Sequence, residues 1–142
     1  AVKFLSEPVQ IPLDPEISSR MRKLALSRTC LDEIYTAWKD GTRPPHDLQL
    51  RIGPIASGAV VLEDPATVEL IRTQNRKTIG IEMEAFGVMS ASFYAGKNRP
   101  RTVVIKSVCD FADPQKNNEW QTYAAHTSAA FLDKFLQHEA FT

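Results

Sequence analysis

Residues 78–108 constrain the fold of this chain more than any other stretch. Thr78-Ile79-Gly80-Ile81 is a short apolar run with β-branched residues, and residues 83–94 then change to helical spacing. Ala85, Val88, Met89, Ser92 and Ala95 fall at steps of three and four, laying small and apolar side chains along one face. Gly96-Lys97-Asn98 supplies the chemistry of a helix end. Thr102-Val103-Val104-Ile105-Lys106-Ser107-Val108 follows, a β-branched run of the kind buried in a parallel sheet. Strand, helix, strand at this length predicts a βαβ unit with a right-handed crossover. Carboxylates stand where each strand should end: Glu82 and Glu84 after the first, Asp110 after the second. Ligands of open α/β sheets bind in the crevice outside the carboxyl ends of the strands, so the pattern predicts a small polar site.

The remaining segments fit the same α/β class. Asp14-Pro15 reads as an N-cap followed by proline at the first helical position. Ile17, Met21, Leu24, Ala25, Leu31, Ile34, Tyr35 and Trp38 extend that helix in steps of mostly three and four, and Gly41 can end it. Arg43-Pro44-Pro45 reads as a loop, and residues 48–52 alternate like a strand up to Gly53-Pro54. Residues 55–58 lead into a second apolar run, 59–62, and Asp64-Pro65 opens a helix reaching about Gln74. Residues 118–139 predict a long final helix with Trp120, Tyr123, Ala124, Phe131, Phe135 and Leu136 on its apolar side. Neither an internal repeat nor a linker interrupts the 142 residues, so one domain is expected over 1–142, long enough to bury a core.

Charge and cysteine usage narrow the function classes. Seventeen basic and seventeen acidic residues give a formal net charge of zero, which makes no electrostatic case for a nucleic-acid or membrane partner. No apolar run approaches the ~20 residues of a membrane span. Cys30 and Cys109 make no disulfide framework, so a reducing cytoplasm is the expected location.

Three motifs in order carry a resemblance. Gly53-Pro54-Ile55-Ala56-Ser57-Gly58, Ile81-Glu82-Met83-Glu84-Ala85 and Ser107-Val108-Cys109-Asp110-Phe111-Ala112-Asp113 resemble those of the nucleoside phosphorylase and methylthioadenosine/S-adenosylhomocysteine nucleosidase superfamily. Any one alone would be a weak sign. The resemblance runs from about residue 51 to 138, and it implies a phosphorylase/hydrolase-like three-layer fold with a mixed or parallel sheet between helices. It also implies that the upstream glycine-rich turns, which form the phosphate or water side of such a site, have no match in residues 1–49. The chain is therefore expected to correspond to roughly the carboxyl-terminal half of a family domain, incomplete on its N-terminal side, as a fragment, a proteolytic product or a reduced relative.

The resemblance implies roles residue by residue. Asp110 is the catalytic candidate: protonating a ring nitrogen of the departing base helps N-glycosidic cleavage most, and a desolvated carboxyl can hold that proton near neutral pH. Glu84 is matched to the carboxylate that accepts the ribose hydroxyls and favours oxocarbenium charge. Met83 would pack against the sugar, Val61 would stand where relatives stack an aromatic on the base, and Ser57 and Glu82 would complete the binding wall. The implied partners are a small nucleoside and further copies of the chain in a homo-oligomer. No cofactor is expected, with phosphate a possible co-substrate.

Structural readings stand beside these. Glu84 could simply favour the helix dipole, Glu82 could be a strand-end carboxylate held by backbone donors, and Met83 could be plain core. Asp113-Pro114 reads better as a turn, Cys109 as a small packed residue, and Arg72 and Arg76 as a solvated helix face. His46, His126 and His138 lack metal-ligand spacing. Three departures from the family pattern put base specificity in doubt: Ala59 in place of a polar or acidic residue, Lys106 in place of arginine, and Cys109 in place of serine. Two functions stay open: cleavage of a purine-type nucleoside by phosphate or water in the intact protein, or a nucleoside-binding sensor domain of a larger signalling or defence protein.

Overall fold

Asp14 starts the first helix as its residue type predicts. Its Oδ1 accepts from the backbone N–H groups of Glu16 and Ile17 at 2.9 and 3.1 Å, and Pro15 occupies the first helical position. The computed structural model describes residues 9–58, 65–110 and 119–138. Over them run α1 (Pro15–Ala25), α2 (Arg28–Ala37), β1 (Ile55–Ser57), α3 (Pro65–Gln74), β2 (Gly80–Glu82), α4 (Ala85–Phe93) and α5 (Gln121–His138). The protein is α/β, with a parallel two-stranded sheet among the described residues.

The expected single helix from Asp14 to Gly41 is two helices. Ser27 breaks it: its hydroxyl accepts from Cys30 N at 3.4 Å and opens α2, while Leu26 closes α1 and stands exposed. A hydroxyl that can bond a neighbouring backbone donor competes with continued helix, and the three-residue spacing carries on across the break. Ile17, Met21 and Leu24 of α1 meet Cys30, Leu31 and Ile34 of α2 and Phe131 and Phe135 of α5 in one core. The final helix begins at Gln121, and its buried stripe is Tyr123, Ala124, Thr127, Phe131 and Phe135, whereas Leu136 is exposed.

Two expected strands are absent. Leu48, Leu50 and Ile52 are half-buried against the helical core while Gln49 and Arg51 face outward, so the alternation is real, but residues 48–52 form no ladder. Residues 102–108 likewise form no strand; Val103 and Ile105 pack onto the same core. A β-branched run reports burial, and here packing on helices supplies that burial without pairing. The expected βαβ unit ending at 108 is thus replaced by a parallel pair, β1 and β2, separated in sequence by α3. Its register is Ile55 with Gly80, Ala56 with Ile81 and Ser57 with Glu82. Gly53 allows the close approach, since a Cβ there would sit 3.1 Å from the Ile79 side chain, and Ile79 N donates to Pro54 O at 2.9 Å. The expected run at 59–62 and the Asp64 cap lie outside the described residues; the helix after them ends at Gln74 as read.

The helix after β2 is shorter than expected and mostly uncovered. It begins at Ala85, the only one of its residues that is buried, and Phe86, Val88 and Phe93 are exposed, as is Tyr94 just beyond it. Among the described residues, two short strands are too small a layer to cover its apolar face. Gly96, at a φ of 84°, turns the chain out of the helix as its type suggested.

Ile34 and Phe135 are each 1% exposed. Replacing Ile34 or Phe135 by alanine should cost about 2–5 kcal/mol in urea unfolding, through lost burial and the cavity left behind. Leu26→Ala, at an exposed position, should stay within about 0.5 kcal/mol. Losses below about 1 kcal/mol at both core positions would contradict this assignment of the core.

Candidate functional site

The carboxyl end of β2 turns directly into α4, and that turn gathers the polar groups. Glu82 is the last residue of β2, and only 9% of its side chain is exposed. Its Oε2 accepts from the backbone N–H groups of Glu84 and Ala85 at 2.7 and 2.8 Å, so a strand carboxylate caps the start of the helix. Glu84, at the N-cap position, makes no capping bond with its own side chain. Glu82 is thus held by backbone donors, and Glu84 stands at the cap rather than in the first turn.

Ser57 is the β1 neighbour of Glu82, and its hydroxyl accepts from Phe86 N at 3.0 Å, which ties β1 to the first turn of α4. Lys106 joins from the third segment: its ammonium pairs with Glu84 and stands 3.5 Å from Glu82 Oε2. The Lys106 and Glu84 side chains are 41% and 65% exposed. Ser107 Oγ meets Thr127 Oγ1 at 2.7 Å, anchoring this segment to the buried face of α5. Farther back, Arg101 bridges Asp14 and Glu16 at the start of α1, holding their carboxyls below the ordinary range through its hydrogen bonds.

The electrostatics follow from these contacts. Burial pushes the Glu82 carboxyl up, but the Ser57 hydroxyl beside it, the two backbone donors and the Lys106 charge outweigh burial and hold it below its ordinary value. Lys106 is raised, first by its hydrogen bond to Glu84. Among the described residues, one cation meets two carboxylates at the turn, a net negative charge. Glu82 Oε1 is buried and has no hydrogen-bond partner among the described residues.

Other expected residues fall as follows. Met83 is 44% exposed beside the two glutamates, so it is not plain core. Asp110 is half-buried and does not tip a strand, because residues 102–108 pair with none; the Cys109 thiol donates to its Oδ2 at 3.5 Å. Val61 and Asp113 lie outside the described residues. Arg72 and Arg76 are exposed on and just beyond α3, a solvated face as read. His126 lies against Trp38 at 5.1 Å and its Nε2 reaches Ile34 O at 3.2 Å, a packing role. What the sequence reading missed is the double ion pair of Lys106, whose partners are 22 and 24 positions away. The only hint was a cation four residues before Asp110.

Similar proteins support part of the resemblance. The chain is 32% identical over 130 residues to the uncharacterized protein y4jS of Sinorhizobium fredii, covering 92% of this chain and 31% of that protein. It is 32% identical over 84 residues to ATP nucleosidase Cap17 of Escherichia coli, covering 59% of this chain and 16% of that one. It is 30% identical over 93 residues to a 5'-methylthioadenosine/S-adenosylhomocysteine nucleosidase of Marinomonas, covering 63% and 39%. The chain is thus similar, over part of its length, to proteins named as nucleosidases. It spans between about a sixth and two fifths of the lengths of these relatives. No family model and no solved structure matches it. No described helix is long and apolar enough to cross a membrane.

The depressed Glu82 carboxyl has a definite pH consequence. A group whose folded pKa lies below its unfolded value stabilises the fold above the unfolded pKa, and that stability is lost as pH falls through the folded one. Wild type should therefore exceed Glu82→Gln in stability at neutral pH, and the gap should close as pH drops below the ordinary glutamate value of 4.5. Thermal melts between neutral and acid pH would show it; a gap that stays constant across that range would contradict the assignment.

Proposed function

We propose that this chain carries the sugar- and base-binding side of a site that cleaves the N-glycosidic bond of a purine-type nucleoside, by phosphate or by water. The observation that carries the reading is the carboxylate pair at the end of β2: Glu82 nearly enclosed and held by backbone donors, Glu84 exposed beside it, with the Lys106 cation in contact with both. The similarity to proteins named for ATP, methylthioadenosine and S-adenosylhomocysteine, all adenosine compounds, supports the purine choice.

In this reading Glu84 accepts the ribose hydroxyls. Its pair with Lys106 is largely exposed, and exposed pairs are worth roughly 0–1 kcal/mol. Hydrogen bonds to a charged acceptor contribute about 1.5–3 kcal/mol each. Two sugar hydroxyls can therefore displace the ammonium, which keeps Glu82 as its second carboxylate. The net negative charge of the turn then lies beside the sugar carbon that gains positive character as the bond to the base breaks. Met83 offers that sugar an apolar, polarisable surface. Asp110 is the general acid, delivering a proton to the base so that it leaves neutral. Phosphate or water attacks the sugar from the opposite side, and no resident cofactor takes part.

Release of free base from a nucleoside panel, with and without inorganic phosphate, tests the reading on the full-length protein. Asp110→Asn should lower turnover by roughly two to four orders of magnitude with little change in melting temperature. Near-normal turnover in that variant would remove Asp110 from the acid role. Glu84→Gln should weaken ribonucleosides more than 2'-deoxy analogues, which already lack one partner. Equal losses on both sugars would leave Glu84 with only a role at the helix end.

A further inference from the structure

Residues 85–95 hold no charged side chain. A helix with no charged face is ordinarily buried, yet of α4 only Ala85 is. The outward side has a definite layout. Gly87 and Ala91, one turn apart, form an exposed stripe of small residues that Ala95 continues just past the helix. A Cβ on Gly87 would meet no atom within 4 Å, so the stripe is open above. Helical spacing puts Val88 along one flank of the stripe and Phe86 and Phe93 along the other, with Tyr94 at its far end. Charge brackets the run: Glu84 stands exposed at its start, and Lys97 and Arg99 stand exposed at its end.

We propose that this face of α4 docks against the same face of a second copy of the chain, the two helices antiparallel about a two-fold axis near Ala91. A two-fold interface must be self-complementary, and this face is so in shape and in charge. Antiparallel pairing lets the backbones approach along Gly87 and Ala91, and seats the bulky flanks of each copy beside the stripe of the other. It also brings Glu84 of one copy toward Lys97 and Arg99 of the other, and sets opposite ends of the two helix dipoles together. The area agrees as well. Phe86, Phe93 and Tyr94 are 47, 41 and 72% exposed, which at about 150–250 Å² per aromatic leaves roughly 300 Å² of ring surface in water. Val88 shares an open groove with Val104 and Leu132, which carries the apolar surface on to α5, where Leu136 is exposed one turn farther. A specific interface needs about 1,000 Å² in total, or about 500 Å² per copy, and the whole patch is of that order. The inference stands apart from the nucleoside reading.

Cross-linking of the full-length protein tests it. A residue at a two-fold axis faces its own copy, so Ala91→Cys should form a disulfide-linked dimer under a mild oxidant. Wild type, whose own cysteines are Cys30 in the core and half-buried Cys109, should form none, nor should Leu26→Cys at an exposed position on the α1–α2 junction. Ala91→Glu places two carboxylates together at the axis. It should raise the dimer dissociation constant about a hundred-fold or more in sedimentation velocity, with the circular dichroism spectrum unchanged. A monomeric wild type with no Ala91→Cys cross-link means that another part of the same polypeptide or a different protein covers the face, and overturns the proposal. An oligomer without that cross-link has its contacts on another face and overturns it equally. Equal cross-linking of Ala91→Cys and Leu26→Cys reports chance encounter and also overturns it. Should Ala91→Glu fail to fold, the cross-link alone decides.

Discussion

Three chain segments meet at the carboxylate of Glu82, and the arrangement of the candidate site depends on that meeting. The end of β2 supplies the carboxylate, the first turn of α4 supplies two backbone donors, and residue 106 supplies the cation. Each contact is short-range and each would be weak on an open surface. Burial changes the balance: the side chain is nearly enclosed, so charge and donors act with less competition from water. The parallel register sets the geometry, because pairing Ser57 with Glu82 brings β1 to the same turn and lets Ser57 hold Phe86 N. A one-residue slip would send Glu82 to the other face and undo all of it.

The helical core acts at a distance on this turn. Val103 and Ile105 pack on the cluster of α1, α2 and α5, and Ser107 bonds to Thr127 on the buried side of α5. Between these anchors Lys106 projects toward the glutamates. At the other end of the same segment Arg101 pins Asp14 and Glu16. The segment that brings the cation is thus located by packing and side-chain bonds, with no strand ladder. That division explains why a run so rich in β-branched residues can do its work without pairing.

Much of this was legible in the residues. Asp14 and Pro15 announced α1, Gly96 announced the end of α4, and the Glu82-Met83-Glu84 turn stood out as acid following a strand. Local chemistry of this kind acts over one to four positions, which is the range that spacing reveals. Ser27 as a helix break was hidden because Leu24, Leu31 and Ile34 keep helical spacing across it. Strands at 48–52 and 102–108 were misread because alternation and branching report which side chains are buried, and say nothing of whether the backbone finds a partner. The exposed face of α4 was misread for the converse reason: an apolar helix does not announce how much sheet lies beneath it. Lys106 was noticed for what it replaced, and its partnership with Glu82 and Glu84 depends on folding of more than twenty intervening residues.

The central claim is that a nucleoside sugar belongs on the Glu84 side of this turn, with its base toward Asp110. A crystal structure of the full-length protein with adenosine bound tests it most directly. The account predicts ribose hydroxyl oxygens within about 2.5–3.0 Å of the Glu84 carboxylate, the purine edge facing Asp110, and Lys106 still beside Glu82. A nucleoside bound elsewhere, with the Lys106–Glu84 pair intact, would contradict it.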